Sequence, residues 1–441
     1  MKIRPILHPP IQVSHLYYRL TRVLVWGGIT RYYKISGLDG FEQLPKPGTP
    51  AIFIGNHQNG MMDPMPFCGF VPQQIHWLTR ADVFWNPVAR HILYGYNQLP
   101  VYRQRDRVDR LRERNDVIFD VCVDRMHAGA AMGIFPEGNH NPFPSLRGLK
   151  GGLAEMLARA ARRHASLKDI QLVPIGLDYE DYVDWRRRFR VRAGAAIPFA
   201  DLLQDDGSID KPALNARVRE AFQNIMVDLQ PEEAQPYLHP AMRAARTTEM
   251  SPEDWATFSA QVRRWEAKWS DESWAGRVKE AFDAWDKTWK SAGQTGRPEA
   301  WGLHPHAIRP NKAWIRWIRP LTWLANLPSL PTETFVRRFV NKTIKKAEFI
   351  PTMRLGYGIL LFPLSWAVLS GLAGLLAPDG WGWMAAGAMW VWGEGGSRWH
   401  AWAESHMHDR RDAIDGHAFW HGSSHKAVRK AWAHYLEVVN N

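Results

Sequence analysis

Twenty-three consecutive residues, 355–377, carry no charge. A chain must either bury such a run in a core or set it in a bilayer, and about 20 apolar residues suffice to cross one. Pro378-Asp379-Gly380 then reads as a turn, and residues 381–393 form a second uncharged run of 13. That is short for a full span but long enough for a re-entrant or interfacial arm. Lys342, Lys345, Lys346 and Arg354 precede the pair, and Arg398, Arg410 and Arg411 follow it. Cations on both flanks favour a cytoplasmic position for both. The expectation is therefore a membrane hairpin tipped by Asp379. Trp381, Trp383, Trp390 and Trp392 suit an interfacial belt. The competing reading is a buried helix pair in a soluble protein.

Charge narrows the setting. The 441 residues carry 56 Lys+Arg against 44 Asp+Glu, a formal charge of +12. Such a surplus attracts nucleic acid or an anionic membrane face. No Walker sequence, Gly-x-Ser-x-Gly elbow or Gly-x-Gly-x-x-Gly loop occurs, and no nucleic-acid module accompanies the charge. Membrane lipid, not nucleic acid, is the expected partner. Two cysteines, Cys68 and Cys122, exclude a disulfide framework or a Cys-rich zinc module. Residues 1–14 are polar and Pro-rich, without the apolar core of a secretory signal.

Residues 13–33 place apolar and aromatic side chains at helical spacing, interrupted by Arg19, Arg22 and Arg31. This predicts a basic amphipathic helix, lying at a membrane interface or packed on its own domain. From 34 to about 199, strand-like stretches (51–55, 134–135, 172–177, 195–199) alternate with helix-like ones such as 111–127. That alternation predicts an α/β domain. From 231 to 320 the character changes. Ser251 reads as an N-cap, with Pro252, Glu253 and Asp254 opening a helix. Trp265 and Trp269 are spaced i, i+4, as are Trp285 and Trp289, which fits either a helical core or an interfacial belt. A Gly/Pro-containing linker, 293–298, follows. In the His-rich tail, His417, His421 and His425 share helical spacing, but Gly422-Ser423-Ser424 interrupts it and no Cys or well-placed carboxylate completes a shell. No metal site is expected.

Four short blocks could carry chemistry. Residues 51–64 read AIFIGNHQNGMMDP: a strand ends, His57 follows in a Gly/Asn-rich loop, and Asp63 precedes a Pro suited to a helix start. A carboxylate bonded to one imidazole nitrogen fixes the tautomer and raises basicity at the other, as a general base requires. Residues 97–103 read NQLPVYR and end in Arg103. Residues 135–140 read FPEGNH, and 173–175 read VPI. Each lies at a presumed strand end, where open α/β sheets collect ligands.

In this order the blocks resemble the motifs of the glycerolipid acyltransferases, the family of glycerol-3-phosphate and lysophosphatidate acyltransferases. The resemblance covers roughly residues 30–230. It implies a mixed sheet flanked by helices, and a fatty acyl transfer from acyl-CoA or acyl carrier protein to a hydroxyl of lysophosphatidate or glycerol 3-phosphate. Another lysolipid or an amino-acid-derived acceptor, or a non-catalytic homologue, is the alternative. By position, His57 would be the base and Asp63 its support. Arg103 would hold the acceptor phosphate, Glu137 and Gly138 would shape the acceptor site, and Pro174 would help wall the acyl chain. No cofactor is implied beyond the acyl donor. The sequence departs from the family pattern in having five residues, not four, between His57 and Asp63. It has Asn97 or Gln98 in place of a Gly, and Asn139-His140 where Thr and a basic or Ser residue are usual. Arg147 and Lys150 could supply the missing positive charge at the phosphate. Cys68 and His76 read as structural.

The resulting division is an N-terminal amphipathic helix (1–33), an acyltransferase α/β domain (34–230), a Trp-rich helical region (231–340), a membrane hairpin (341–396) and a basic His-rich helical tail (397–441). The expected location is a membrane, with the catalytic domain on the cytoplasmic face of a bacterial inner membrane.

Overall fold

The structure, a computed structural model, describes residues 15–246, 252–292, 312–421 and 425–441. Short apolar runs form one seven-stranded sheet: β1 (Lys34–Asp39), β2 (Ala51–Gly55), β3 (Ile75–Arg80), β4 (Leu99–Val101), β5 (Ala131–Ile134), β6 (Gln171–Tyr179) and β7 (Arg188–Ala193). Their order is β1-β7-β6-β2-β5-β3-β4. Every neighbouring pair is parallel except β6–β7. The mixed, helix-flanked sheet is the expected fold class. β2 is buried along its whole length and sits between β5 and β6, the place where the strand order reverses. Loops leaving β2 and β5 thus share one edge of the sheet, the usual ligand position.

Alternate residues of β2 face two cores, as strand pleating requires. Ala51 and Phe53 meet Val25 and Ile29 of α1 (His15–Tyr32) and Phe67 of α2 (Pro64–Phe70). Ile52 and Ile54 face the opposite layer. That layer is α4 (Leu111–His127), α5 (Gly152–Arg163) and α6 (Lys211–Gln223); the short α3 (Pro87–Gly95) precedes β4.

Two expectations for the sheet need correction. The strand placed at 195–199 is a single bridge, Ile197 to Leu172, because Pro198 lacks the N–H to continue a ladder. The real partner of β6 is β7, whose sequence RFRVRA hides its strand character. Phe189 and Val191 are buried, while Arg188 and Arg192 reach Glu180 and Asp39.

The tryptophans between 255 and 289 fill a core, whereas Trp317 and Trp323 are exposed. The helices α7 (Gln235–Ala245), α8 (Pro252–Lys268) and α9 (Glu272–Ser291) are joined by α14 (Lys426–Asn440) at the far end of the chain. Trp265, Trp269, Trp274, Trp285 and Trp289 are buried there with Trp432 and Tyr435 of α14. Asp271 caps α9, accepting from the Ser273 and Trp274 amides; α8 opens at Pro252 as expected, while Ser251 itself lies outside the described residues, as do the 293–298 linker and the His417 and His421 side chains.

The remaining helices are α10 (Lys312–Asn326), α11 (Leu330–Thr343), α12 (Ile350–Leu376) and α13 (Gly382–His421). α12 is long and apolar enough to cross a membrane, with a mean hydropathy of 2.0. Leu360, Leu364, Val368 and Leu372 form an exposed stripe along it. α13 folds back against α12. Glycines allow the close approach: a Cβ on Gly393 would lie 2.5 Å from the Trp366 ring. The second uncharged run is the start of a 40-residue helix. The boundaries at 340/341 and 396/397 therefore fall inside α11 and α13. The tail contributes its last helix to the tryptophan core.

Candidate active site

The loop after β2 is tied down residue by residue. Gly55 is needed because a Cβ there would sit 2.7 Å from the Phe67 ring and 2.8 Å from Phe135. Asn56 bonds both the carbonyl (2.9 Å) and the amide (2.7 Å) of Leu177, stitching the loop to β6. Asn59 donates to Tyr33 Oη at 3.0 Å and to the Tyr182 carbonyl at 2.8 Å.

Asp63 stands at the start of α2 but does not cap it. Its carboxylate turns back into the loop. Oδ2 accepts from the Gln58 and Asn59 amides and from His57 Nδ1, each at 2.8 Å. Oδ1 accepts from Tyr179 Oη at 2.8 Å. The extra residue between His57 and Asp63 is absorbed in this turn, and the His57–Asp63 bond is intact. A fully buried carboxyl facing four donors is an acceptor on both oxygens, so Nδ1 of His57 carries the proton. That leaves Nε2 as the basic nitrogen. The imidazole lies flat on Phe135, with centroids 4.4 Å apart, and Phe135 in turn stacks on Trp77. Burial and the Asp63 charge hold the Tyr179 hydroxyl well above its ordinary range, so it remains a donor.

Glu137 joins this loop to the next. One oxygen accepts the His57 amide at 2.7 Å, the other the Arg147 amide at 3.1 Å. Burial pushes its carboxyl up to about 7. Gly138 adopts φ 66°, a left-handed turn that favours Gly, and the Lys150 stem passes over it, 3.2 Å from where a Cβ would be. The Lys150 amide closes the turn on Pro136 at 2.8 Å. Arg147 reaches the His140 carbonyl and Glu232, both at 3.4 Å. His57, Asp63, Glu137, Gly138, Arg147 and Lys150 are thus brought together.

Two further sequence candidates have partners of their own. Arg103 follows β4 and meets Asp106 at 2.9 Å and Asp82 at 3.3 Å; Arg80 also holds Asp82. Arg80, then Arg103, keep the Asp82 carboxyl below its usual range. Pro174 is buried inside β6, paired with Ile54 and 2.9 Å from the Cβ position of Gly194. Its carbonyl accepts from Gly194 at 2.8 Å, so the N–H it lacks falls on the β7 side, just outside the regular ladder. Pro174 is a sheet residue packed towards the α4–α6 layer.

Sequence reasoning missed Tyr179, Asn56 and the approach of α12. The first had a signal: Val173, Ile175, Leu177 and Tyr179 share one strand face. The last had none. Glu348, in the turn before α12, lies 3.5 Å from His140, and the Phe349 ring is 3.5 Å from the Cβ position of Gly60.

Residues 35–178 match the family model described as Acyltransferase. It is similar to a chloroplastic 1-acyl-sn-glycerol-3-phosphate acyltransferase of Arabidopsis thaliana, 26% identical over 157 residues, covering 35% of this chain and 39% of that protein. A second similarity is to a glycerol-3-phosphate O-acyltransferase of Saccharomyces cerevisiae, 37% identical over 79 residues, 18% of this chain and 10% of that one. Among solved structures, a 1-acyl-sn-glycerophosphate (LPA) acyltransferase, PlsC, from Thermotoga maritima aligns with 15% identity and a TM-score of 0.35, over 47% of this chain and 77% of that one. The chain spans less than half the length of the plant relatives, 39% and 46%.

Proposed function

We propose that the protein transfers a fatty acyl group from acyl-CoA or acyl carrier protein to a hydroxyl of lysophosphatidate or glycerol 3-phosphate. The observation that carries this reading is the buried four-donor carboxylate of Asp63, which leaves His57 Nε2 as the proton acceptor. His57 Nε2 takes the proton of the acceptor hydroxyl as its oxygen attacks the thioester carbonyl carbon. The tetrahedral intermediate collapses with cleavage of the C–S bond, and the departing sulfur takes the proton back from His57. One ester and one thiol result. No covalent enzyme intermediate is needed; a positioned base and proximity suffice.

Arg147 and Lys150, beside His57, and Arg103, in its ion cluster, are the cations for the acceptor phosphate. Guanidinium pairs bidentately with phosphate, and Arg103 would exchange Asp82 for it. Glu137 holds the His57 and Arg147 loops in register. Curated relatives named for the two acceptors support the substrate class, and the exposed apolar α12 supports membrane association. The catalytic domain would face the cytoplasm, in a bacterial inner membrane.

The test is thiol release by detergent-solubilised protein given acyl-CoA with lysophosphatidate or glycerol 3-phosphate. His57→Ala is expected to lose this release by about 10²–10⁴-fold. Equal release by wild type and His57→Ala removes the base. Arg103→Ala and Arg147→Ala, compared across acceptors with and without a phosphate, assign the phosphate contact.

A further inference from the structure

Between α1, α12 and α13 runs a crevice of about 180 Å³, with a neighbouring lobe of about 200 Å³ that shares Arg31, Tyr32, Trp185, Arg354 and Phe362. None of this lies in the four motif blocks, and all three helices lie outside the matched residues 35–178. Its walls are apolar: Leu24, Leu355, Ile359, Phe362 and Trp366 line it. Its rim includes exposed Val23 and Leu24. Gly28 sets α1 tightly on α12, for a Cβ there would lie 2.6 Å from Leu355.

The crevice also holds charge. Arg31, Arg354 and Arg398 line it against a single carboxylate, Glu394, so three cations less one anion leave an excess of two. Glu394 is taken by Arg31 and Arg398. Arg354 bonds Asn341 at 2.8 Å and the Tyr32 hydroxyl, while its buried Nε has no hydrogen-bond partner among the described residues. A buried N–H of a cation left unpaired is costly, and an anionic oxygen satisfies it.

The foot of α12 connects this crevice to the catalytic loop. Arg354 lies one helical turn and a half beyond Phe349, which rests against Gly60, and Glu348, which faces His140. On the other wall, Tyr32 precedes Tyr33, whose hydroxyl accepts from Asn59.

We infer that the crevice is a lateral entry for an acceptor drawn from the membrane: an amphiphile with one acyl chain and one phosphate, a lysophospholipid. The chain lies against Ile359 and Phe362, and Arg354 meets the phosphate before it reaches His57. This rests on the acyl-transfer reading and selects a membrane-resident acceptor over free glycerol 3-phosphate.

The test uses full-length protein in nanodiscs and a lysophosphatidate probe with a diazirine in its acyl chain, photolysed on both wild type and His57→Ala. Label is expected in peptides covering 23–32 and 354–366, competed by lysophosphatidate and not by glycerol 3-phosphate. Arg354→Gln is expected to cut competed labelling about tenfold, the worth of one charge-assisted bond. Gly358→Leu, which fills the crevice without altering charge, is expected to do the same. Label confined to the outer stripe, label that does not compete, or unchanged labelling in both variants overturns the inference. Competed crevice labelling without any thiol release would instead refute the acyl-transfer reading, so the two failures differ.

Discussion

Asp63 gathers four donors onto one buried carboxylate, and each donor has a separate consequence. In Asp63→Asn an amide would turn N–H groups towards backbone N–H groups and Nδ1. The histidine would lose its fixed tautomer, and kcat is expected to fall by about 10²–10³-fold with KM little changed. Tyr179→Phe leaves Oδ1 buried without its partner. That costs on the order of 1–3 kcal/mol, read as a lower melting temperature. An unchanged melting temperature would show that the hydroxyl is not needed there. Glu137 predicts a pH effect with a definite sign. Its carboxyl moves from an ordinary 4.5 to about 7 on burial, so the folded state holds the proton more tightly than the unfolded chain. The stability this gives is fully present below pH 4.5 and is lost as pH rises through 7. Relative to Glu137→Gln, wild type should therefore lose on the order of 3 kcal/mol between these limits. Melting curves of both proteins from pH 4.5 to 8 check this, and parallel profiles would sink it. The sequence showed His57, Asp63 and Glu137 because motif spacing preserves chemistry. It did not show what Asp63 bonds, since Tyr179 lies 116 residues away and only strand pairing brings it near.

At the scale of elements, legibility followed hydrophobic pattern. The runs at 51–55, 111–127 and 172–177 became β2, α4 and part of β6. β7 was missed because its outward residues are arginines, which are legible only once Glu180 and Asp39 are known to face them. Arg103 and Pro174 show the converse: the motif located them, but contacts decided their surroundings. The tryptophans were ambiguous for a similar reason, since i, i+4 spacing fixes a helix face and not what covers it. α14 is what covers it: Trp432 is fully buried, 4.7 Å from the Trp285 ring, and Tyr435 donates to the Tyr237 carbonyl. Trp432→Ala is expected to cost about 3–5 kcal/mol, the range for an emptied aromatic site. Differential scanning calorimetry should show the tryptophan core melting earlier; an unchanged transition would mean that α14 does not pack there.

For the whole molecule, the question is how deep the α12–α13 hairpin goes. α12 alone, at 27 residues and 1.5 Å per residue, is about 40 Å long and could cross a hydrocarbon core of about 30 Å. Charge argues otherwise. Arg31 lies over the Trp366 ring; its partner Glu394, and Arg398, which shares that carboxylate, sit just past the uncharged start of α13. From Trp366 to Leu376 is only about 15 Å, half a core. If the hairpin spanned the bilayer, with Asp379 at the far surface, these three charged side chains would lie near the midplane. At about 2.5–3.5 kcal/mol for each charged residue, that is worse than placing Asp379 alone at depth. The uncharged part of α13, 13 residues or about 20 Å, is likewise too short to span. The hairpin should therefore dip into one leaflet, with Arg31, Glu394 and Arg398 among the headgroups and the mouth of the crevice at that level. Asp379→Cys, in a Cys68→Ala background, reads the depth. Cys122 stays silent, its buried thiol pushed up to about 12. A membrane-impermeant maleimide applied to sealed vesicles of either orientation should leave position 379 unlabelled until detergent is added. A control cysteine at exposed Glu42 should label from the catalytic side only. Labelling of position 379 from the opposite side would mean that the hairpin spans, and that the bilayer tolerates a buried Arg–Glu–Arg cluster at its centre.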